Sequence, residues 1–305
     1  MSVTFQRALL SALLLASAPA LAAAAKVYPD PTAATEALVS AARSGEVKSV
    51  LTVLGDRAKS FVVSEDPVSD RAALARFVQF YDQGHALLSP DEGSRILTIG
   101  DDAWPFPVPL VKAKAGWSFD AKAGEQEILA RRVGRNELDV IQTCIGYVEA
   151  QRDYLAMNPE RAAVPHYADR LMSTQGKRDG LYWPSAAGEP ESPMGPAVSG
   201  AVGEGYTLKR GKDAPYHGYR FRLLTAQGPH AQGGAQDYRE NGKLIRGFAL
   251  VAYPASYGSS GVMTFLVNQD GVVLEKDLGK STAKIAPGIT RYDPDPSWKV
   301  AEVAP

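Results

Sequence analysis

The chain has 305 residues, 45% of them hydrophobic and 22% charged, and its formal net charge is -1. Such a length predicts about two domains with hydrophobic cores. The balanced charge and the lack of a basic run argue against a general nucleic-acid binder, and a single cysteine excludes an internal disulfide framework and a multi-cysteine metal site.

The N-terminus has the pattern of an export signal. Arg7 precedes an apolar run from Ala8 to Ala18, and Ala20-Leu21-Ala22 has the small residues of a signal-peptidase site. The run is shorter than a membrane-spanning helix requires. We therefore predict a signal peptide over residues 1–25, cleaved near Ala22 to Ala25, and a periplasmic or secreted mature protein without a membrane span. A retained N-terminal anchor is the alternative.

Residues 26–126 are predicted to form a small α+β domain. The apolar spacing and the turn residues predict helices at 31–43, 46–54 and 70–81, strands at 95–100 and 116–120, and an edge strand or extended segment at 104–110. The order of two helices, a third helix and strands resembles the nuclear-transport-factor-two-like cone fold, on the segments AATEALVSAARSGEVKSVLTVL and GWSFD. That resemblance implies a pocket between sheet and helices. The alternating aromatic residues that either line such a cleft or fill a core are Trp104, Phe106, Trp117 and Phe119.

Residues 127–158 are predicted to form one long amphipathic helix. Its apolar residues recur at steps of three and four along Leu138, Ile141, Ile145, Val148 and Leu155. A break is expected near Gly134, and Pro159 discourages continuation of the helix. An apolar stripe must be covered, so we expect the later strands to pack on it. Cys144 lies beside the stripe and is predicted to be a buried, unreactive thiol.

The segment 159–205 is predicted to be a long irregular loop with a helical turn or two at 166–172. It is dense in Gly, Pro and Ser, and a loop of this length is usually functional or wrapped over the surface. Tyr182 and Trp183 are expected to anchor it. Together with Trp104 and Trp117, these two side chains are the candidate binding surface.

Strands are predicted at 218–224, 248–253, 262–268 and 272–276, with a tight turn at Asn268-Gln269-Asp270-Gly271. A polar tail with a short helix follows from 278. Residues 127–305 thus read as a long helix packed on an antiparallel sheet, and the fold class is α+β. The segments NELDVIQTCIGYVEAQRDY, GYRFRLL and ALVAYPASYGSSGVMTFLVNQDGVV are similar to the globular heads of type IV pilins and pseudopilins.

A further resemblance covers nearly the whole mature chain. It is carried by DDAWPFPVPLVK, GRNELDVIQTCIGYVEAQRDY, GKRDGLYWP, GEPESPMGP, YHGYRFRLLTAQGP and SGVMTFLVNQDGVVLEKDLG. These segments resemble an exported bacterial family known as domain of unknown function family 2950. The resemblance implies export, and it brings no catalytic residues with it.

Signals for catalysis are weak. His217 and His230 flank the strand at 218–224, near Asp213 and Asp237, and a histidine pair with an aspartate could bind zinc or act as acid and base. Their spacing matches no metal signature. Ser259-Ser260-Gly261 lacks the G-x-S-x-G pattern of an activated serine, and no phosphate-binding glycine loop occurs. We therefore predict no catalytic residue, metal or cofactor.

The favoured interpretation is an exported, non-enzymatic binding or interaction module of the cell envelope. Its partner would be an envelope protein or a component of a pilus or secretion system. One alternative is a periplasmic hydrolase, which requires His217, His230 and an acidic residue such as Asp237 to converge. The other is a small-ligand binder, which requires the N-terminal aromatic residues to line an open pocket.

Overall fold

The computed structural model describes residues 23–186, 188–207 and 214–302. Residues 1–22 of the predicted signal peptide and Asp213 lie outside the described residues. The α-helices are α1 (Pro31–Arg43), α2 (Val47–Leu54), α3 (Lys59–Val62), α4 (Pro67–Gln83), α5 (Ala121–Met157), α6 (Gly195–Gly203) and α7 (Thr282–Ile285). The strands are β1 (His85–Asp91), β2 (Ser94–Ile99), β3 (Trp104–Pro105), β4 (Leu110–Ala113), β5 (Gly116–Phe119), β6 (Tyr219–Leu224), β7 (Ala226–Gln227), β8 (Gln236–Asp237), β9 (Arg239–Glu240), β10 (Lys243–Leu244), β11 (Ala249–Pro254), β12 (Met263–Asn268), β13 (Leu274–Asp277) and β14 (Lys299–Val300).

This content of helices and antiparallel sheets confirms the α+β class. Single turns of 3-10 helix at Asp56–Ala58, Gly279–Ser281 and Ala286–Gly288 complete the helical segments. No helix in the described part of the chain is both long and apolar enough to cross a bilayer.

The N-terminal half is an antiparallel sheet with helices packed on it. The strand order is β1-β2-β4-β5, and β3 pairs with β2. Helices α1, α2 and α4 pack with one another and on this sheet. Asp30 and Asp66 cap α1 and α4, since each carboxylate accepts backbone N–H bonds directly before a helix that starts with proline. Together these elements enclose the first hydrophobic core.

In this half the structure adds one strand to the prediction and shortens another. Strand β1, His85–Asp91, was not predicted, although it pairs with β2 from His85 opposite Ile99 to Asp91 opposite Ser94. Its side chains are mostly exposed, so the sequence lacks the apolar alternation that marks a half-buried strand. The segment at 104–110 contributes only β3, because the prolines that follow cannot donate ladder hydrogen bonds.

Helix α5 is one uninterrupted element of 37 residues, about 55 Å long at about 1.5 Å per residue. The Asp120 side chain accepts bonds from the first turn, and Asn158 ends the helix in the left-handed conformation. The helix therefore starts six positions earlier than the predicted Glu127, and the break expected at Gly134 is absent. A single exposed glycine lowers helix stability by only about 1 kcal/mol, and packing on both sides of Gly134 offsets this cost.

The second hydrophobic core forms between α5 and the C-terminal sheet, whose strand order is β14-β13-β12-β11-β6. From the helix it contains Val140, Ile141, Cys144, Tyr147, Val148 and Tyr154, and from the sheet it contains Tyr219, Leu250, Ala252, Phe265 and Val267. A third cluster covers the other face of the sheet with Leu224, Tyr238, Leu244, Ala249, Val251 and Leu266. The sheet is thus buried on both faces, and β11, with its nearly continuous apolar sequence, is buried along almost its whole length.

The predicted packing of the helix on the late strands is confirmed, but the buried face is rotated. Leu138 is 45% exposed, whereas Val140 is fully buried. Two positions correspond to about 200° around a helix, so Leu138 points away from the sheet. The face of α5 that packs on the sheet, here called the seam, includes Tyr147, Gln151 and Tyr154. Because these side chains carry polar atoms, the apolar spacing in the sequence did not indicate them.

The segment 159–205 is mostly irregular, as predicted. The helical turn predicted at 166–172 was wrong, because Tyr167 pairs with Leu244 and Met172 pairs with Tyr182 in isolated bridges. Helix α6, rich in glycine and alanine, was missed. Trp183 is buried in the core beneath α5 and confirms the expected anchor.

The rotated seam predicts different costs for two substitutions on α5. Ile141→Ala should lower the free energy of unfolding by about 2–5 kcal/mol, because it leaves a cavity against the sheet. Leu138→Ala should cost less than about 1 kcal/mol, because the side chain is largely hydrated. Urea denaturation followed by circular dichroism measures both. Equal losses would show that the seam is placed incorrectly.

Candidate functional site

A cavity of about 220 Å³ lies in the N-terminal half, between its helices and the first half of α5. Most of its wall is apolar, with Leu38 from α1, Leu54 from α2, Phe77 from α4 and Ile128 from α5. Phe80 and Trp104 line it as well, and they are 45% and 40% exposed. The cavity is therefore open to solvent at the end where these two rings lie.

The aromatic residues proposed from the sequence divide into two groups. Trp104 and Phe106 line the cavity, and Phe106 packs against Phe77 with ring centroids 5.1 Å apart. Phe119 lies behind Phe106, edge-on at 6.4 Å, and belongs to the core. Trp117 is also buried in that core. Alternation along β5 turns both rings toward the helices, so they support the cavity wall without reaching its interior.

Four arginines also line the cavity. Arg76 comes from α4, and Arg131, Arg132 and Arg135 come from α5. The Arg131 guanidinium lies 3.9 Å from the centroid of the Trp104 ring, a cation–π geometry, and its Nε pairs with Glu127. These arginines carry no local signal in the sequence, because their position beside the aromatic wall depends on how α4 packs beside α5.

The guanidinium of Arg132 reaches into the protein. One of its nitrogens, Nη2, donates a hydrogen bond to the Phe61 carbonyl. The Nη1 atoms of Arg131 and Arg132 are both buried and have no hydrogen-bond partner among the described residues. Unmade bonds of buried charged groups are costly, and an acceptor in the cavity could satisfy these two donors once the guanidinium groups turn toward it.

One carboxylate, Asp70, lines the cavity beside these arginines. It accepts bonds from the Ser64 backbone N–H at 2.9 Å and from the Ser64 hydroxyl at 2.8 Å. Burial raises the pKa of Asp70, although the bonds from Ser64 and the charge of Arg132 act in the opposite direction. Burial lowers the pKa of Arg132, and repulsion from Arg135 adds to this effect. With four arginines and one carboxylate among the lining residues, positive groups outnumber negative groups on the cavity wall.

The structure does not bring the candidate catalytic histidines together. His217 Nδ1 lies 3.4 Å from Asp139 Oδ2, and its Nε2 lies 3.6 Å from Glu204 Oε2. His230 lies on the surface, where its Nδ1 is 3.0 Å from Asp293 Oδ1. No contact joins the two histidines anywhere in the ranges that the structure describes.

The third member of that candidate set, Asp237, accepts a bond from the Arg239 backbone N–H at 2.8 Å. Within the described ranges it makes no contact with His217 or His230. Because each group lies in its own surroundings, the three residues do not form a common acid–base site.

The two side chains considered as nucleophiles, Ser260 and Cys144, are both buried. The Ser260 hydroxyl donates to the Ser256 carbonyl at 3.1 Å and accepts from the Ser256 N–H at 2.9 Å. Cys144 is fully buried on α5, and burial raises the pKa of its thiol to about 12. No group of histidine, cysteine, aspartate and glutamate side chains suited to a metal ion occurs in the described part of the chain.

The loop residues proposed as a binding surface are largely enclosed. Trp183 is only 4% exposed, and the Arg178 guanidinium lies 5.6 Å from its ring centroid. Tyr182 is half-buried, and its backbone N–H donates to the Leu171 carbonyl. Trp183 holds the long loop against the second core, and the Tyr182 backbone bond joins two parts of the loop itself. Trp104 is therefore the member of the proposed set that lines the cavity.

A second, polar cleft lies on the other half, lined by Glu160, His166 and Lys243 among others. Lys243 Nζ lies 2.9 Å from Glu160 Oε2, and His166 Nε2 lies 3.5 Å from Glu160 Oε1. Lys243 and Glu160 thus neutralise each other within this cleft.

Asp66 connects the cavity to the C-terminal half. It is completely buried. Its carboxylate caps α4, the helix that carries Phe77 and Arg76. It also accepts bonds from the Tyr206 hydroxyl at 2.7 Å and from the Gly218 N–H at 3.2 Å. One side chain thus fixes the start of the cavity helix to the segments that precede β6.

Comparison with known proteins identifies the family. The family model described as "Protein of unknown function (DUF2950)" matches residues 25–301. The chain belongs to this family. Neither the search of curated proteins nor the search of solved structures finds a match. Within this DUF2950 member, the likeness to pilin heads and to nuclear-transport-factor-two-like cones stays a prediction.

The burial of Cys144 predicts that its thiol is unreactive in the folded protein. At pH 8 iodoacetamide should label the native chain far more slowly than the urea-unfolded chain, because thiolate is the reactive form and is scarce. Mass spectrometry measures the labelling. Leu138→Cys places a thiol on the exposed side of the same helix and should add one fast site. Rapid labelling of Cys144 in the native protein would contradict the packing.

The bonds of Asp66 predict a larger loss than a helix cap alone. Asp30→Ala removes the cap of α1 and should cost about 1 kcal/mol of unfolding free energy. Asp66→Ala also leaves the Tyr206 hydroxyl and the Gly218 N–H without this buried acceptor, so it should cost at least about 3 kcal/mol. Thermal and urea unfolding measure both variants. A similar cost for the two would exclude Asp66 as a link between the halves.

Proposed function

We propose that this protein is an exported, non-enzymatic binding module of the cell envelope that holds a small, largely apolar ligand in its N-terminal cavity. The observation that carries the proposal is the open, mostly apolar cavity between α1, α2, α4 and α5. Export is supported by the signal pattern over residues 1–25.

The size of the cavity supports a small ligand. Its volume is about 220 Å³, whereas an engineered apolar cavity of about 150 Å³ binds benzene. A ring with a short substituent, or a chain of about eight carbons, is the scale that fits. Each buried methylene contributes about 0.8 kcal/mol, part of which is lost to the ordering of the ligand.

The surroundings of the reactive side chains support binding over hydrolysis. A nucleophile needs a base within hydrogen-bond reach, but the Ser260 hydroxyl is bonded to the Ser256 backbone. His217 and His230 contact different carboxylates and line no common cavity among those described. The apolar cavity, by contrast, combines a hydrophobic wall with a few polar groups, which is typical of binding sites.

Two substitutions on α4 test the proposal with 1-octanol as the probe. Ala73 lines the cavity and Ala75 does not, and both alanines are exposed positions of the same helix. Isothermal titration calorimetry should show one octanol bound per chain. Ala73→Phe fills the cavity and should weaken binding at least about tenfold, which corresponds to about 1.4 kcal/mol.

The matched control is Ala75→Phe, which adds the same ring outside the cavity and should leave the affinity within about twofold. Circular dichroism should show the same fold for both variants. No saturable binding by the unmodified protein would refute the proposal. Equal weakening by the two variants would place the ligand outside the cavity.

A further inference from the structure

We infer that the ligand of this cavity is an amphipathic monocarboxylate, whose apolar body lies against Phe77 and Phe106 and whose carboxylate accepts hydrogen bonds from Arg131 and Arg132. The inference rests on the proposed function and specifies the chemical class of the ligand. It follows from unsatisfied donors, from the charge of the wall and from the arrangement of apolar and charged groups.

The unsatisfied donors are the first observation. Arg131 and Arg132 both line the cavity, and the Nη1 atom of each is buried without a hydrogen-bond partner among the described residues. Each guanidinium also makes one contact with the protein, from Arg131 Nε to Glu127 and from Arg132 Nη2 to the Phe61 carbonyl. What is missing is an acceptor, and a carboxylate offers two oxygens suited to guanidinium donors.

The charge of the wall is the second observation. Four arginines line the cavity, and Asp70 is the one carboxylate among the lining residues. Both oxygens of Asp70 already accept bonds from Ser64. Against the effect of burial, which lowers the pKa of Arg76, the charges of Asp139 and Glu204 raise it. Both carboxylates also lie beside His217. An anion would be attracted to this wall, and a cation would be repelled by it.

The state of the arginines agrees with this charge. Burial lowers the pKa of Arg76 and of Arg132, and repulsion from Arg135 contributes in both cases. A carboxylate beside these arginines would compensate for their lost hydration and reduce the repulsion between them. A neutral ligand would not reduce this repulsion, and it would leave the Nη1 donors of Arg131 and Arg132 unpaired.

The arrangement of the wall is the third observation. The apolar lining comes mostly from α1 to α4, with Ile99, Phe106 and Ile128 added, whereas three of the four arginines lie close together on a single stretch of α5. Trp104 lies between the apolar and the charged parts of the wall. Its ring lines the cavity, and the Arg131 guanidinium lies over it. A ligand with an apolar body and one charged end matches this division.

The experiment compares sodium octanoate with 1-octanol, which have the same chain length and differ in the charged end. Titration calorimetry at low ionic strength uses the mature chain, Arg131→Gln, Arg132→Gln and Arg71→Gln. Arg71 is the matched control, because it is an exposed arginine of α4 that does not line the cavity. We expect octanoate to bind at least about tenfold more tightly than octanol. High salt should reduce the difference in affinity between octanoate and octanol only partly, because the arginines are partly buried and therefore incompletely screened.

We expect Arg131→Gln or Arg132→Gln to remove most of the preference for octanoate over octanol. Circular dichroism should show the same fold for each variant. Arg131→Lys should keep part of the preference, and Arg71→Gln should keep all of it. Octanol binding with no preference for octanoate would overturn the inference and leave the proposed function intact. A preference that survives both glutamine variants would also overturn it, whereas failure of both probes would refute the proposed function itself.

Discussion

The structure depends on one helix that is buried by two different cores. Ile128 and Leu129 of α5 pack with the N-terminal helices and sheet, and Val140 to Tyr154 pack on the C-terminal sheet. A helix is stable in water mainly when its apolar face is covered, so each core stabilises the half of α5 that it contacts. Because the helix is continuous, its rotation in one core determines which residues face the other.

The middle of α5, between the two cores, is polar and still well bonded. The Asn136 amide donates to the Ser260 carbonyl at 2.8 Å. The Glu137 carboxylate accepts from the N–H groups of Val262 and Met263 at 2.8 and 2.9 Å. These bonds hold the start of β12 on the helix. With Asp66, which ties α4 to Gly218, they fix the cavity wall relative to the C-terminal sheet.

The candidate site lies where this shared helix passes the N-terminal sheet. Arg131, Arg132 and Arg135 come from the turns of α5 just before the second core begins. Their charge is therefore placed beside an apolar wall by a helix that is anchored on both sides. Rigid placement of a few polar groups in an apolar cavity is what gives a small-molecule site its selectivity. The proposed preference for a carboxylate thus follows from the packing that also forms the fold.

Local patterns in the sequence were enough to determine the α+β class, the helix over most of 121–157, the burial of Cys144 and the strands β6, β11 and β12. These features depend on periodicity and turn chemistry, which act over a few residues. The rotation of α5, the edge strand β1 and the placement of Trp117 inside a core were decided by tertiary packing. The cavity was decided in the same way, because its arginines and its aromatic rings come from segments far apart in the chain. No short stretch of sequence near the arginines indicates the aromatic rings, or the reverse. The two groups line the same cavity only because α4, α5 and the β3 segment pack together.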